Sequence, residues 1–331
     1  MSERTGTPEE RYLVGGYTAP HGEAAGVVLL ERTGAAWASR PVADVPSPSF
    51  LARHPELPVL YAVAEHLGEL VVLEVADDGA EVVRSVPAGA AACHVRVAPD
   101  GRSVVVACWG DGAVVRYRLD ERGRVLDAAH GATAGEGSRA HATLPLGDGF
   151  VSTDLGLDLL RVWADDGAGI RETQRLELPP GSGPRHLVAH PNGRLYVVTE
   201  FSVEILEIAV GVAGELSLVR AAPARPVPRA EGDTGAEIAV DPTGAWLSVG
   251  VRGSDRIAVS RILPDGGTEP VAEGPSGGER PRHHVHDSRG VLVANEASST
   301  VARLAFDPAT GAVGPVLDSV AVGTPTFLLP V

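Results

Sequence analysis

The chain has 331 residues, 44% of them hydrophobic, so it can bury a large core, and a disordered or peptide-like chain is excluded. Its 28 basic residues stand against 43 acidic ones for a net charge of −15, and since no lysine occurs, Schiff-base chemistry and a phosphate-loop lysine are excluded. That charge also disfavours nucleic acid and anionic membrane as partners, and two cysteines are too few for a disulfide framework or a thiolate zinc site.

Met1 to Glu10 is polar, with no apolar core before a cleavage site, and reads as a flexible tail on a cytoplasmic protein. Three short apolar runs follow, at Tyr12 to Tyr17, Gly26 to Glu31 and Trp37 to Val42. A pattern of apolar run, Pro/Asp/Gly turn, apolar run, short gap and third alternating run then recurs six times. The copies begin at Ser49 (SFLARHPELPVLYAVAE), Cys93 (CHVRVAPDGRSVVVACW), Ala140 (AHATLPLGDGFVSTDLG), Arg185 (RHLVAHPNGRLYVVTE), Ala236 (AEIAVDPTGAWLSVGVRG) and Arg282 (RHHVHDSRGVLVANE). Their spacings are 44, 47, 45, 51 and 46 residues. None of the runs shows a helical period, and the longest, such as Leu70 to Val75, falls far short of the roughly 20 residues of a membrane span. Last comes Thr324 to Pro330, which resembles only the first strand of a unit, while the three N-terminal runs resemble the second, third and fourth. The chain is therefore expected to be all-β: a seven-bladed propeller of four antiparallel strands per blade, one domain over 1–331, closed by a blade shared between the termini.

Hairpin arithmetic then places side chains. If the first two strands of a unit pair symmetrically about their turn, opposed residues share a face. The count sets Arg185 opposite Glu200 about PNG (191–193), and His141 opposite Asp154 about LGDG (146–149). It sets Arg282 opposite Asn295 about DSRG (287–290), with Glu296 one step beyond, and Cys93 opposite Cys108 as two buried free thiols. From DPTG it places Arg252 past the mate of Glu237, in the loop between second and third strands. All these positions lie at strand ends remote from the turns. One face of the disc thus gathers His94, His141, His186, Arg185, Arg252, Arg282, Glu65, Asp154, Glu200, Glu237 and Glu296 at the mouth of the central channel, where several arginines suit a small anionic ligand. Each pair could equally be a structural ion pair or hydrogen bond. No metal or cofactor is expected, since alternation puts His284 and His286 on one strand face and His283 on the other.

The motifs VGGYT, PSFLARHP with LYAVAE, AHA with DLGLD, GPRHLVAHPNG with YVVTE, AEI with DPTG and RGSDRIAV, and VANEASSTV with FDPATG stand in one order along nearly the whole chain. In them the chain resembles the seven-bladed lactonases, which include the bacterial propeller-type 6-phosphogluconolactonases and the fungal carboxymuconate-lactonizing enzymes. The resemblance implies a cofactor-independent hydrolase of a small anionic sugar lactone, 6-phosphogluconolactonase-like. It also implies a catalytic set of His141, Arg185, Glu200 and Arg252, with Glu200 as base on water or as the group that orients His141. Glu65, His94, Asp154, His186, Glu237, Arg282, Asn295 and Glu296 are then the candidates for binding substrate. Two other readings stand beside this one: a lactonizing cycloisomerase of the muconate type, and a propeller that binds a ligand or protein without catalysis. The arginines disfavour a calcium-dependent lactonase.

Overall fold

The computed structural model describes residues 10–76 and 79–331, in which seven four-stranded sheets each run antiparallel from an inner to an outer strand. Short turns leave each strand no option but to pair with its predecessor, which makes every blade a meander. Burial grades outward along each blade. The second strand Val59–Ala64 (VLYAVA) is buried at all six positions, as a strand packed on both faces must be, whereas the outermost strand Ile170–Glu177 alternates half-buried with exposed residues.

Blade 1 closes the ring as the sequence implies. Its innermost strand is Pro325–Pro330, followed outward by Glu10–Gly16, Val27–Thr33 and Ala36–Ala43, with Val14 opposite Leu328. Of the expected tail, residues 1–9 lie outside the described residues. Glu10 does not belong to it: that residue opens a strand, and its carboxylate pairs with Arg32 and Arg289, both at 3.0 Å, and with the buried Arg303. Blades 2 to 7 begin with inner strands Leu51–Arg53, Ala92–Val97, Ala140–Leu146, Pro184–Ala189, Thr234–Val240 and Pro281–Asp287.

Polar pegs tie neighbouring blades together. Tyr61 Oη donates to the Gly123 carbonyl (2.7 Å), Tyr117 Oη to that of Pro87 (2.6 Å) and Tyr196 Oη to that of Gly266 (2.9 Å). The His-Pro dipeptides of the turns act likewise. Nδ1 of His54 and of His190 accepts backbone N–H groups of its own turn, while Nε2 lies 3.0 Å from Gly101 O and 2.9 Å from Gly244 O in the next blade. Gly244 holds φ +74°, so that Asp241 Oδ1 can accept from both Ala245 N and Trp246 N at the mouth of the turn. No helix among the described residues is long and apolar enough to cross a membrane.

Candidate active site

The inner strands are not the symmetric hairpins that the count assumed. In blades 1, 3, 4, 5, 6 and 7 the register between inner and second strand slips near the channel mouth, adding one residue to the inner strand. The true mates are Pro184 with Thr199, Ala140 with Asp154, Pro281 with Asn295 and Ala92 with Cys108. Arg185, His141, Arg282 and Cys93 therefore oppose no residue. A bulge re-aims the side chain it carries, and here the residue turned out of the ladder faces the axis: Cys93, His141, Arg185, Arg282 and Thr326 all line the axial pocket, joined by Ser49, which precedes the regularly paired inner strand of blade 2. Arg252 is also corrected. It is the last residue of Trp246–Arg252, opposite Thr234, and not a loop residue.

Above this ring the funnel has two charged walls. On one, Glu200 stands just past the end of Arg194–Thr199, its backbone N–H donating to Gly183 O at 2.6 Å. Its Oε2 lies 3.0 Å from Arg185 Nε and 3.0 Å from Arg252 NH2. Both guanidiniums are buried, yet among the described residues the Nε of each makes no hydrogen bond: Arg185 Nε meets Glu200 only as an ion pair, and Arg252 approaches it through NH2. Buried donors of this kind can still serve a ligand. Burial and the neighbouring Arg185 lower the Arg252 pKa to about 10, which still leaves it charged at neutral pH. On the other wall Arg282 donates to Tyr17 Oη (2.6 Å) and to Glu296 Oε2 (3.1 Å), and Tyr17 Oη lies 3.0 Å from Glu65 Oε1. Burial opposes the charge on Arg282, but Tyr17, Glu296 and Glu65 more than offset it and raise its pKa.

The floor is a layer of rings around one carboxylate. His186 Nδ1 lies 2.7 Å and His283 Nε2 3.7 Å from Glu237, and Phe50 packs on Phe327 (3.9 Å) and His94 (4.3 Å). Burial would raise the Glu237 carboxyl, but His186 and His283 hold it below the usual carboxylate range. The pocket encloses about 20 Å³, room for roughly one water molecule. His141, on its wall, is buried and kept neutral: burial first, then Arg185 and Arg282, push its pKa well below 6.5.

Several buried histidines share that state, which makes the fold acid-sensitive. Burial lowers His283 and His286 to about 4 and His284 to about 3, from 6.5. Above pH 6.5 such a ring is neutral whether folded or not. As pH falls the unfolded chain takes up the proton first, so stability drains between about pH 6.5 and 4, by on the order of 3 kcal/mol per histidine. The melting temperature should accordingly drop steeply over that interval; a flat profile from pH 7 to 4.5 would contradict buried neutral imidazoles.

Of the sequence candidates, His94, His141, Arg185, His186, Glu237 and Arg282 line one pocket. Glu200 and Arg252 are joined to it through Arg185, and Glu65 and Glu296 through Arg282 and Tyr17. Asp154 and Asn295 are fully buried and turned away. Asp154 accepts from Ser138 Oγ and the N–H groups of Arg139 and Leu157, while Asn295 donates to Ser276 O, so both serve backbone turns. Glu200 has no hydrogen bond or ion pair with His141 among the described residues, and its partners are the two arginines. Tyr17 and Phe50 escaped the sequence reading, which weighed His283 only as a metal ligand. Tyr17 had a signal, its place in VGGYT, and His283 follows the ring residue Arg282 directly. The two cysteines are both free and buried, and burial holds the Cys93 thiol neutral.

Comparison with known proteins adds a family pattern. A family model described as "Lactonase, 7-bladed beta-propeller" matches residues 11–330. A 6-phosphogluconolactonase of Bacillus subtilis is 28% identical over 306 residues, covering 86% of this chain and 87% of the relative. One of Formosa agariphila is 24% identical over 273 residues, 76% of this chain and 74% of the relative. Among solved structures, a periplasmic gluconolactonase of Pseudomonas aeruginosa superposes with a TM-score of 0.89 at 23% identity, over 97% of this chain and 99% of that one. It shares the fold.

Proposed function

Because this chain belongs to the seven-bladed β-propeller lactonase family, we propose that it hydrolyses a small anionic sugar lactone, using His141, Arg185, Glu200 and Arg252 and no cofactor. The observation that carries the reading is a neutral imidazole sharing a pocket with the buried Arg185 guanidinium, to which Glu200 joins Arg252, beside a space the size of one water. His141 takes a proton from that water as it attacks the lactone carbonyl carbon. Arg185 and Arg252 stabilise the negative charge that develops on the carbonyl oxygen or hold the substrate's anionic group. The ring C–O bond then breaks, the proton passes to the departing ring oxygen, and a hydroxy acid leaves. Glu200 holds the two arginines side by side, a pair that would otherwise repel. Arg282, fixed by Tyr17 and Glu296, supplies a second anionic subsite across the funnel. The names of the curated relatives favour a phosphorylated sugar lactone.

The test is hydrolysis of 6-phosphogluconolactone, unphosphorylated gluconolactone and a muconolactone by purified protein, each corrected for spontaneous opening. Turnover of a sugar lactone that survives EDTA is the expected result. Turnover of the muconolactone alone would assign a lactonizing cycloisomerase, and loss with EDTA restored by Ca²⁺ would assign a metal-dependent enzyme.

A further inference from the structure

The opposite face of the disc, where turns predominate, has a cavity of about 620 Å³ between blades 3 and 4. Its wall includes Arg96, Arg102, Ser103, Arg116, Thr143 and Asp165. Two of the arginines differ from the rest. Arg116 is neutralised by Asp165, with Nε 2.9 Å from Oδ2 and NH2 donating to Oδ1 at 2.9 Å, and Arg118 on the rim by Asp127. Arg96 has no carboxylate within ion-pair distance and no hydrogen-bond partner among the described residues, and its Nε is fully buried. It lies half-buried on the inner strand Ala92–Val97, two residues past His94, and burial lowers its pKa. Arg102, exposed at the cavity edge, also has no side-chain partner among the described residues.

A half-buried guanidinium with no direct ion pair, offset only by the more distant Glu237 carboxylate, is costly to keep. In a chain of net charge −15, where the buried inner-strand arginines Arg185 and Arg282 are paired with carboxylates, its persistence at the end of a cavity marks a place for an anion. We propose that this cleft is a second ligand site, distinct from the funnel, in which Arg96 and Arg102 bind the oxyanion of a small organic acid or phosphate. Ser103 and the free edge of the cavity leave space for an organic body larger than the anionic group. The site adjoins the funnel floor: Thr143, on the cavity wall, has its Oγ1 and backbone N each 3.4 Å from His94 Nδ1. The inference does not depend on the lactonase reading.

Calorimetric titration of the full chain at low ionic strength with inorganic phosphate and, separately, with succinate tests it, and the two probes distinguish phosphate from carboxylate. Arg185→Ala weakens binding in the funnel, where Arg252 and Arg282 remain, so it is the response to Arg96 and Arg102 variants that assigns a component to the cleft. In that background at least one probe should still bind saturably, and Arg96→Met should weaken this remaining component by about tenfold or more, the worth of one charge-assisted contact. Arg102→Ala, at an exposed position, should weaken it severalfold without altering the fold. Without anion, Arg96→Met should melt at or above the wild-type temperature, because a charge that Glu237 offsets only from a distance has gone. Absence of saturable binding in the Arg185→Ala protein overturns the site. So do unchanged titrations in Arg96→Met and Arg102→Ala, and so does an Arg96→Met protein that melts well below wild type, which would assign Arg96 to packing.

Discussion

Replacing His141 by asparagine should lower kcat by about 10²–10⁴-fold, the usual contribution of a positioned proton acceptor, with little change in KM. Asparagine keeps a polar side chain in the pocket wall but cannot take the proton. In the native protein kcat/KM should decline on the acid side with an apparent pKa below 6.5, because burial, Arg185 and Arg282 all disfavour the imidazolium. In His141→Asn that limb should vanish. Glu200→Gln gives the contrast. Its carboxylate Oε2 lies 3.0 Å from both Arg185 and Arg252, so the amide should loosen the arginine pair, raise KM and cost kcat about tenfold, an effect of ~1.4 kcal/mol. If instead Glu200→Gln abolishes the acid limb and His141→Asn leaves it, the carboxylate is the base and the roles proposed here exchange. If both variants melt lower yet keep normal kcat, the cluster is structural.

Deleting Thr324 to Val331 should abolish soluble expression or lower stability by several kcal/mol. The segment forms the inner strand of blade 1. It places Phe327 against Phe50 at 3.9 Å, donates the Leu328 N–H to His283 Nδ1, and donates Thr326 Oγ1–H to Ser49 O. Burial of Phe327 and Leu328 alone is worth about 1.5–3 kcal/mol each, comparable to the whole margin of a domain at about 5–15 kcal/mol. The freed edge of Glu10–Gly16 would also invite pairing between molecules. Phe327→Ala isolates the packing part, at about 3–5 kcal/mol. A truncated protein that melts with the full chain would mean that the ring does not depend on this closure.

The repeat, the strand count and the shared blade were legible because period-2 patterning and turn residues act locally, and local signals survive in one dimension. Arg185 with Glu200, and Arg282 with Glu296, were likewise found as neighbours. What the hairpin count could not see was the extra inner-strand residue, since a register slip depends on backbone bonding and leaves no mark in composition. Its effect was systematic: Asp154 and Asn295, placed on the funnel by symmetric pairing, serve turns instead. Arg252, read as a loop residue, ends a strand. Tyr17 was missed for another reason, because its partners Glu65 and Arg282 come from blades 2 and 7 and only ring closure brings them together.

The bulge column also separates reactivity from architecture. Each register slip is fixed by main-chain bonding that is indifferent to the side chain it presents, and cysteine, histidine, arginine and threonine already occupy equivalent sockets around the axis. A socket can be refilled without rewriting the blade behind it. Diversification confined to positions 93, 141, 185, 282 and 326 would thus sample new chemistries on an unaltered scaffold, a division of labour by which one ring can be adapted to many small molecules.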